Sequence, residues 1–577
     1  MKLSVRAGLS GVVAAAVAMA AAELVAVRTG PLSAPLLAVG GVVVDSVPPA
    51  VKDFGVAVFG VHDKTALITG TALLLAAYAY GLGVVALRSW RLALAGIALF
   101  AAVGVAAAVT RHDAGVVAAL PALVGGVLAA VVLRYLLKLA GADLGSGRAA
   151  AVGGAAQSGR AASGGDLGGR APASVGEAGA GDLGAPGSGG GVGTQESPAA
   201  ADGREDDGAD AQDRGARADA YVRIDFDRRV FFRALGITSG LAVVGGVAGR
   251  LLTARRAVSG ARDAVVLPVA RQVAAPLASD VQAPGAVPFV SSNRDFYRID
   301  TALYPPQVDP ATWQLKIHGL VRNPITITWA ELLQLPMIER YVTLACVSNE
   351  VGGDLVGNAL WLGTPVQALL DRAEPLPGAD QVVQRSVDGW TCGTPTEVLR
   401  DGRDALLAIG MNGEPLPVSH GFPVRMVVPG LYGYVSACKW VTELELSRFA
   451  DFDAYWVPRG WAPKAPIKTQ SRIDTPRDGD PVAGGTVVVA GVAWAQQRGI
   501  AKVEVQVDEG PWVEATLAAT VSSDTWRQWS HRWAAAPGDH TIRVRATDTR
   551  GETQPSSPSS TAPDGATGWH TIRVRAG

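Results

Sequence analysis

Cysteine is nearly absent from this chain, with only Cys346, Cys392 and Cys438 among 577 residues. So few thiols exclude a disulfide framework, and the odd count leaves at least one unpaired. Net charge is nearly absent too: 51 basic residues against 52 acidic ones leave −1, so the overall balance does not call for nucleic acid as a partner. Histidine is scarce, and in the first 140 residues it occurs only as His62 and His112, both near expected loop ends. A membrane haem needs axial ligands facing each other inside the bilayer, so no haem is expected. Charge inside the apolar runs is sparse apart from Glu23, which argues against an ion pathway.

What the chain has in quantity is length and apolar runs. At roughly 100 to 200 residues per domain, it exceeds a single core. Ala, Val, Leu and Gly dominate residues 1–140, and helices long enough to cross a bilayer are predicted near Leu9 to Val27, Thr65 to Leu87, Leu92 to Thr110 and Gly115 to Leu139. Pro31 to Gly60 is apolar but broken by Pro48, Pro49, Lys52 and Asp53, and is expected to be re-entrant or to lie on the outer face. Lys2, Arg6, Arg88, Arg91, Arg134, Lys138 and Arg148 share one side, which the positive-inside rule makes cytoplasmic. The membrane part reads as an anchor or a docking surface for another membrane protein.

Residues 141–220 are Gly, Ala, Asp and Arg with almost no large apolar side chains, the composition of a disordered cytoplasmic linker. A fifth apolar run, Val230 to Leu252, follows "DRRVFFRALG" and places a further span within 221–255. Arg228, Arg229 and Arg233 fit ordinary positive-inside flanking. Arg228 and Arg229 followed by Phe231 and Phe232 also resemble a twin-arginine export signal, which implies a domain exported already folded.

From about Ala283 the composition turns globular. "WQLKIHGLV" and "YVTLAC" alternate as strands do, while "TWAELLQLP" and "GTPVQALLDRA" have helical spacing, an α+β pattern. "PVRMVVPG" reads as a strand closed by a turn. After Gln470, short strands at regular spacing predict a β-sandwich of roughly 100 residues. "HTIRVRA" occurs twice there, at His540 to Ala546 and at His570 to Ala576.

Cys346 ends an apolar strand and opens "CVSNEVGGDLVGNALWLG", whose glycines shape a loop. Its thiol could be packing, nucleophile or metal ligand. His420, Arg425 and Lys439 cluster around a second Gly-rich turn and suit a phosphate-bearing ligand.

"LACVSNEVGG", "LLAIGMNGEPLPVSHGFPVRMVVPGLYG" and "CKWVTELEL" resemble the sulfite oxidase family of molybdopterin enzymes, and the sandwich resembles that family's dimerisation domain. The resemblance implies a multi-domain chain: an N-terminal α-helical transmembrane region, an α+β sulfite-oxidase-like molybdopterin domain over 283–448 and a C-terminal all-β immunoglobulin-like sandwich over 470–577. It makes Cys346 the thiolate on molybdenum and a catalytic residue together with Arg298. It assigns molybdopterin contacts to Asn293, Tyr297 and Arg298 in "SNRDFYRID", to Asp388, His420 and Arg425, and to Ser436 and Lys439, with a one-residue offset at Ser436.

The implied cofactor is molybdenum-molybdopterin. The implied partners are a small-molecule substrate, sulfur compounds included, a separate electron carrier, membrane-bound ones included, membrane lipid, and a second copy of the chain in a homodimer. The implied location is the cell membrane, with the catalytic domain outside the cytoplasm. Ile409 stands where sulfite oxidases carry a tyrosine beside the substrate, and an alkyl group cannot replace a phenol in proton transfer. That departure opens reduction of an oxidised substrate such as a sulfoxide. Two other readings stand beside this one: a membrane-tethered binding or adhesion protein with a cofactor-free scaffold, and a hydrolase or acyltransferase using Cys346 and His420.

Overall fold

The computed structural model describes residues 2–30, 33–46, 63–110, 115–142, 215–255, 258–277, 281, 283–302 and 304–577. The expectations for His62, for His112 and for most of the 141–220 linker lie outside the described residues.

The N-terminal part is helical: α1 (Leu3–Thr29), α2 (Pro35–Ser46), α3 (Asp63–Ala86), α4 (Trp90–Val109), α5 (Leu120–Leu139) and α6 (Gly215–Arg255). Among the described residues, five segments are long and apolar enough to cross a membrane: Leu3–Thr29, Ala66–Ala86, Trp90–Val109, Val116–Leu139 and Arg229–Gly249. At 12 residues α2 is too short to span. Helix α6 begins at Gly215, so the end of the expected linker is helical and the arginine pair sits inside a continuous helix.

Small residues let α1 and α3 touch backbone to backbone. A methyl group at Gly11 would stand 2.0 Å from the Ala79 carbonyl oxygen, and one at Gly83 would stand 2.1 Å from that of Ala7. The Arg6 guanidinium reaches the Ala140 carbonyl at 3.4 Å, and Arg134 lies 5.7 Å over the Trp90 ring, which gathers these basic residues at one end of the bundle.

A short helix, α7 (Ser259–Asp263), leads into the first globular unit. Its strands are β1 (Gln314–Gly319), β2 (Ile325–Thr328), β3 (Ile338–Ala345), β4 (Val356–Pro365), β5 (Gln381–Ser386), β6 (Thr391–Pro395), β7 (Leu406–Met411), β8 (Glu414–Pro415), β9 (Arg425–Val427) and β10 (Val441–Ser447), with helices α8 (Trp329–Leu333) and α9 (Val366–Ala373) between them. One sheet has the order β2-β1-β10-β5-β6, and the other has β3-β4-β7-β8 with β9 also on β7. Thr328 and Glu331 close a capping box on α8. Val366, Leu369, Leu370 and Ala373 make the buried stripe of α9, each large side chain contributing roughly 1.5–3 kcal/mol.

The second unit carries β11 (Gln470–Thr475), β12 (Pro481–Val482), β13 (Gly485–Trp494), β14 (Ile500–Val507), β15 (Val513–Glu514), β16 (Thr516–Leu517), β17 (Arg527–Ala535), β18 (Gly538–Asp548) and β19 (His570–Ala576). They form two sheets, β11-β13-β17-β16 and β12-β19-β18-β14-β15, the sandwich expected from the strand spacing. The repeated heptapeptide occupies β18 and β19, which pair antiparallel with Ile542 opposite Ile572. Val492, Trp494 and Trp526 of the sandwich join the main core of the first unit.

Candidate functional site

Cys346 leaves β3 after the strand is fixed against β4, with Ala345 opposite Val356. Its amide donates to the Leu355 carbonyl at 2.9 Å, and the Asn349 side-chain oxygen accepts from the Leu355 amide at 2.8 Å, so the loop closes on itself. The thiol is buried at the wall of a cleft. Burial pushes its pKa up, and the backbone and hydroxyl of Ser348, with Lys439, pull it back. The free thiol therefore keeps its proton until a cation displaces it.

The opposite wall is cationic. Gly421 has φ +111°, and a methyl group there would stand 3.0 Å from Arg425 Cβ and 3.1 Å from Lys439 Cβ, so glycine allows the two basic residues to converge. Arg425 is 5% exposed. It donates to the His420 carbonyl at 3.1 Å and lies 4.9 Å over the Trp361 ring. Among the described residues no carboxylate pairs with it. Burial lowers its pKa to about 10. Lys439 Nζ donates to Asp300 at 2.6 Å and to the Ile299 carbonyl at 3.1 Å, and burial lowers it to about 8 against the pull of Asp300.

His420 Nε2 sits 3.1 Å from the Asn293 carbonyl, which makes it the protonated nitrogen. Burial, then Arg425 and Lys439, holds the imidazole pKa down at about 4, so it is neutral at pH 7. Burial pushes the Tyr297 hydroxyl far above its ordinary value.

Of the residues singled out from the sequence, Tyr297, Cys346, Asp388, His420, Arg425 and Lys439 line this cleft. Three do not. Arg298 turns to Asp300 at 2.8 Å. Asn293 bonds Met411, Glu414 and Asn412 and acts on the site only through the carbonyl that holds His420. The Ser436 hydroxyl is spent on the Leu431 and Tyr432 carbonyls at 3.2 and 3.0 Å. Ile409 packs in the main core and does not reach the cleft wall.

Asp300, Ser386, Trp390, Tyr434, Trp456 and Trp461 line the cleft without having been singled out. Asp300 lies two residues beyond Arg298, and its place between two cations with only 6% of its side chain exposed was the missing signal. The aromatic residues are spread over 72 positions and no local pattern joins them.

The cleft fits an anionic, metal-bearing prosthetic group. The Ser386 hydroxyl is buried on its wall without a hydrogen-bond partner, and Arg425 is buried there without a counter-ion. Among the described residues no three His, Cys, Asp or Glu side chains cluster to chelate a metal, so a metal held by Cys346 brings its other ligands with it.

Residues 302–456 match the family described as oxidoreductase molybdopterin binding domain, and residues 470–544 match the bacterial Ig domain. Mitochondrial sulfite oxidase of Homo sapiens is 27% identical over 301 residues, covering 44% of this chain and 55% of that protein. Sulfite oxidase of Arabidopsis thaliana is 28% identical over 328 residues, covering 46% and 83%. The sulfane dehydrogenase SoxCD from Paracoccus pantotrophus has a similar solved structure at TM-score 0.44 and 22% identity, over 50% of this chain and 82% of that one. The chain thus spans about half the length of the mammalian relatives it matches.

Proposed function

We propose, from the premise that residues 302–456 are a molybdopterin-binding oxidoreductase domain of the sulfite oxidase family followed by a bacterial Ig domain, that this chain is a membrane-anchored molybdenum-cofactor oxidoreductase. The observation that carries the reading is the single thiol of Cys346 facing a cleft that also buries Arg425 without a carboxylate. The bound cofactor would supply exchange of one oxygen atom and two electrons with a small substrate, water and two protons completing the balance.

The chain's own residues hold and insulate that group. Cys346 provides a thiolate to the metal. Arg425 and Lys439 offset the negative charge of the pterin phosphate, with Ser386 and Asp388 as polar contacts on the same wall. Neutral His420 is fixed by the Asn293 carbonyl, and protonated Tyr297 offers a hydroxyl proton. Trp390, Tyr434, Trp456 and Trp461 help keep water from the cleft and give it an aromatic face beside the cationic one. The aromatic part of this lining supports an uncharged sulfur compound such as a sulfoxide as the substrate.

The apolar helices anchor the domain, and the basic residues at one end of the bundle support a cytoplasmic position for that end. The catalytic domain then follows the last span on the outer side, and electrons pass to or from a separate carrier. The sandwich supports a homodimer.

The first test is molybdenum and pterin content of the chain produced in a cofactor-making host. The expected result is near one molybdenum per chain for the parent and at least a tenfold loss in Cys346→Ser with folding retained. A metal-free parent from a host that loads a control enzyme would overturn the reading. For export, Arg228→Lys with Arg229→Lys is expected to keep the folded domain in the cytoplasm, read by protease protection of inverted vesicles.

A further inference from the structure

The two stretches of backbone that flank Cys346 are both held by the C-terminal sandwich. Upstream, Thr343 is completely buried in β3 and its backbone and hydroxyl are claimed from the other unit. Its amide donates to the Asp524 carbonyl at 2.9 Å, its carbonyl accepts from Gln496 Nε2 at 2.8 Å, and its hydroxyl oxygen accepts from the Trp526 amide at 2.7 Å. Downstream, the Gly353 carbonyl accepts from Arg472 Nη1 at 2.8 Å. Gly352 has φ +80°, and a methyl group there would stand 2.2 Å from the His570 ring, so the loop lies flat on that imidazole.

These clamps are themselves built rigidly. Arg472 is locked to Asp474 at 2.7 Å, with side-chain exposures of 9% and 5%. His570 Nδ1 accepts from the Ile473 amide at 2.9 Å, which fixes the face it presents to Gly352. Arg472 and Ile473 are neighbours on β11, so one strand supports both downstream contacts. The loop between the clamps closes on itself through Asn349 and Leu355, so moving Gly353 moves Cys346 as well.

We propose that the C-terminal sandwich is a positioning element of the thiol centre: Gln496 on the strand side and Arg472 with His570 on the loop side set where Cys346 stands against the cleft. None of the three lines the cleft, so they act through backbone and are positioning residues. The inference rests on the reading of Cys346 as a metal ligand for its meaning, but the clamp itself is tested without metal. A domain whose sequence suggests a dimerisation module would then be required by each chain's own site, and removing it would loosen the centre even in a monomer.

The test uses the full chain in detergent, made in a host unable to synthesise the cofactor, and follows alkylation of each cysteine by iodoacetamide with peptide mass spectrometry. Cys392 and Cys438 are fully buried away from the clamps and serve as internal controls. The double variant Arg472→Met/Asp474→Met removes the downstream contact without stranding a carboxylate, and Gln496→Ala removes the one side-chain contact among the three upstream bonds to Thr343.

The expected result is about a tenfold or greater rise in Cys346 alkylation with the two controls unchanged, and recovery towards the parent rate in Arg472→Lys. An unchanged Cys346 rate, or an equal rise at all three cysteines, overturns the proposal. In cofactor-loaded protein the same double variant is expected to shift the sulfur-to-metal charge-transfer absorption. A parent chain that takes up no molybdenum would defeat the oxidoreductase reading, whereas a selective alkylation change would still establish the clamp.

Discussion

Arg425 in the cleft domain is a buried guanidinium and Arg498 in the sandwich a largely covered one, its side chain 13% exposed, and they are satisfied in opposite ways. Arg498 meets Asp548 at 2.7 Å, with the carboxylate fully buried, and also donates to the Ile467 carbonyl at 2.9 Å. Arg472 repeats the arrangement with Asp474. Arg425 has carbonyls and an aromatic face but no carboxylate among the described residues. A buried charge costs free energy unless it is paired. The sandwich meets that cost within the fold, whereas the cleft leaves it to a ligand. The difference separates a structural cation from a binding one more sharply than burial alone does.

Substitution at the two arginines breaks or sustains this contrast. Arg498→Met leaves Asp548 buried without its cation, held only by the Thr469 hydroxyl and the Arg550 and Glu552 amides, and is expected to destabilise the sandwich by about 3 kcal/mol in chemical denaturation. Arg425→Met removes an uncompensated charge, so cofactor-free protein is expected to unfold within about 1 kcal/mol of the parent, while cofactor retention falls at least tenfold. Equal losses of stability at both positions would erase the distinction.

Protonation sharpens it. His570 in the sandwich and His420 in the cleft are each held at about 4, below the ordinary 6.5, chiefly by burial. The unfolded imidazole takes a proton more readily than the folded one. Stability is therefore complete above about pH 6.5 and declines as pH falls towards 4, with a slope approaching 1.4 kcal/mol per pH unit for each histidine. An anion in the cleft offsets Arg425 and Lys439, so loading the cofactor is expected to flatten the His420 share and leave the His570 share intact. Calorimetry of His570→Asn and parent, loaded and unloaded, reads both shares.

The smallest expected effect lies outside either site. Thr328→Ala removes one side of the capping box on α8 and should cost about 1 kcal/mol without changing cofactor retention.

Much of the cleft was legible because its residues sit in short strings where local backbone and chemistry coincide: Cys346 at a strand end, and His420, Arg425 and Lys439 around Gly421. The turn of the Ser436 hydroxyl back to the Leu431 and Tyr432 carbonyls could not be read from the string. The pairing of Arg298 with Asp300, which also holds Lys439, was visible only in the fold. The support from Gln496, Arg472 and His570 was illegible, since it joins residues more than a hundred positions apart and leaves no periodicity to read. The strands of the sandwich followed from their spacing, but not the side on which they meet β3.

The pairing of β18 with β19 has a consequence of its own. Because Ile542 faces Ile572, the pair Thr541–Arg573 mirrors the pair Arg543–Thr571, and "HTIRVRA" reads onto itself as a palindrome does. A β19 donated by a second molecule meets the same partners as the native strand, so the ribbon is chemically indifferent to its owner. Its outer edge is covered by residues 478–484: Pro481 and Val482 run parallel opposite Arg575 and Ala576, Asp478, Gly479, Asp480 and Gly484 add hydrogen bonds to Arg573, Arg575 and Gly577, and the proline offers no amide to an incoming strand.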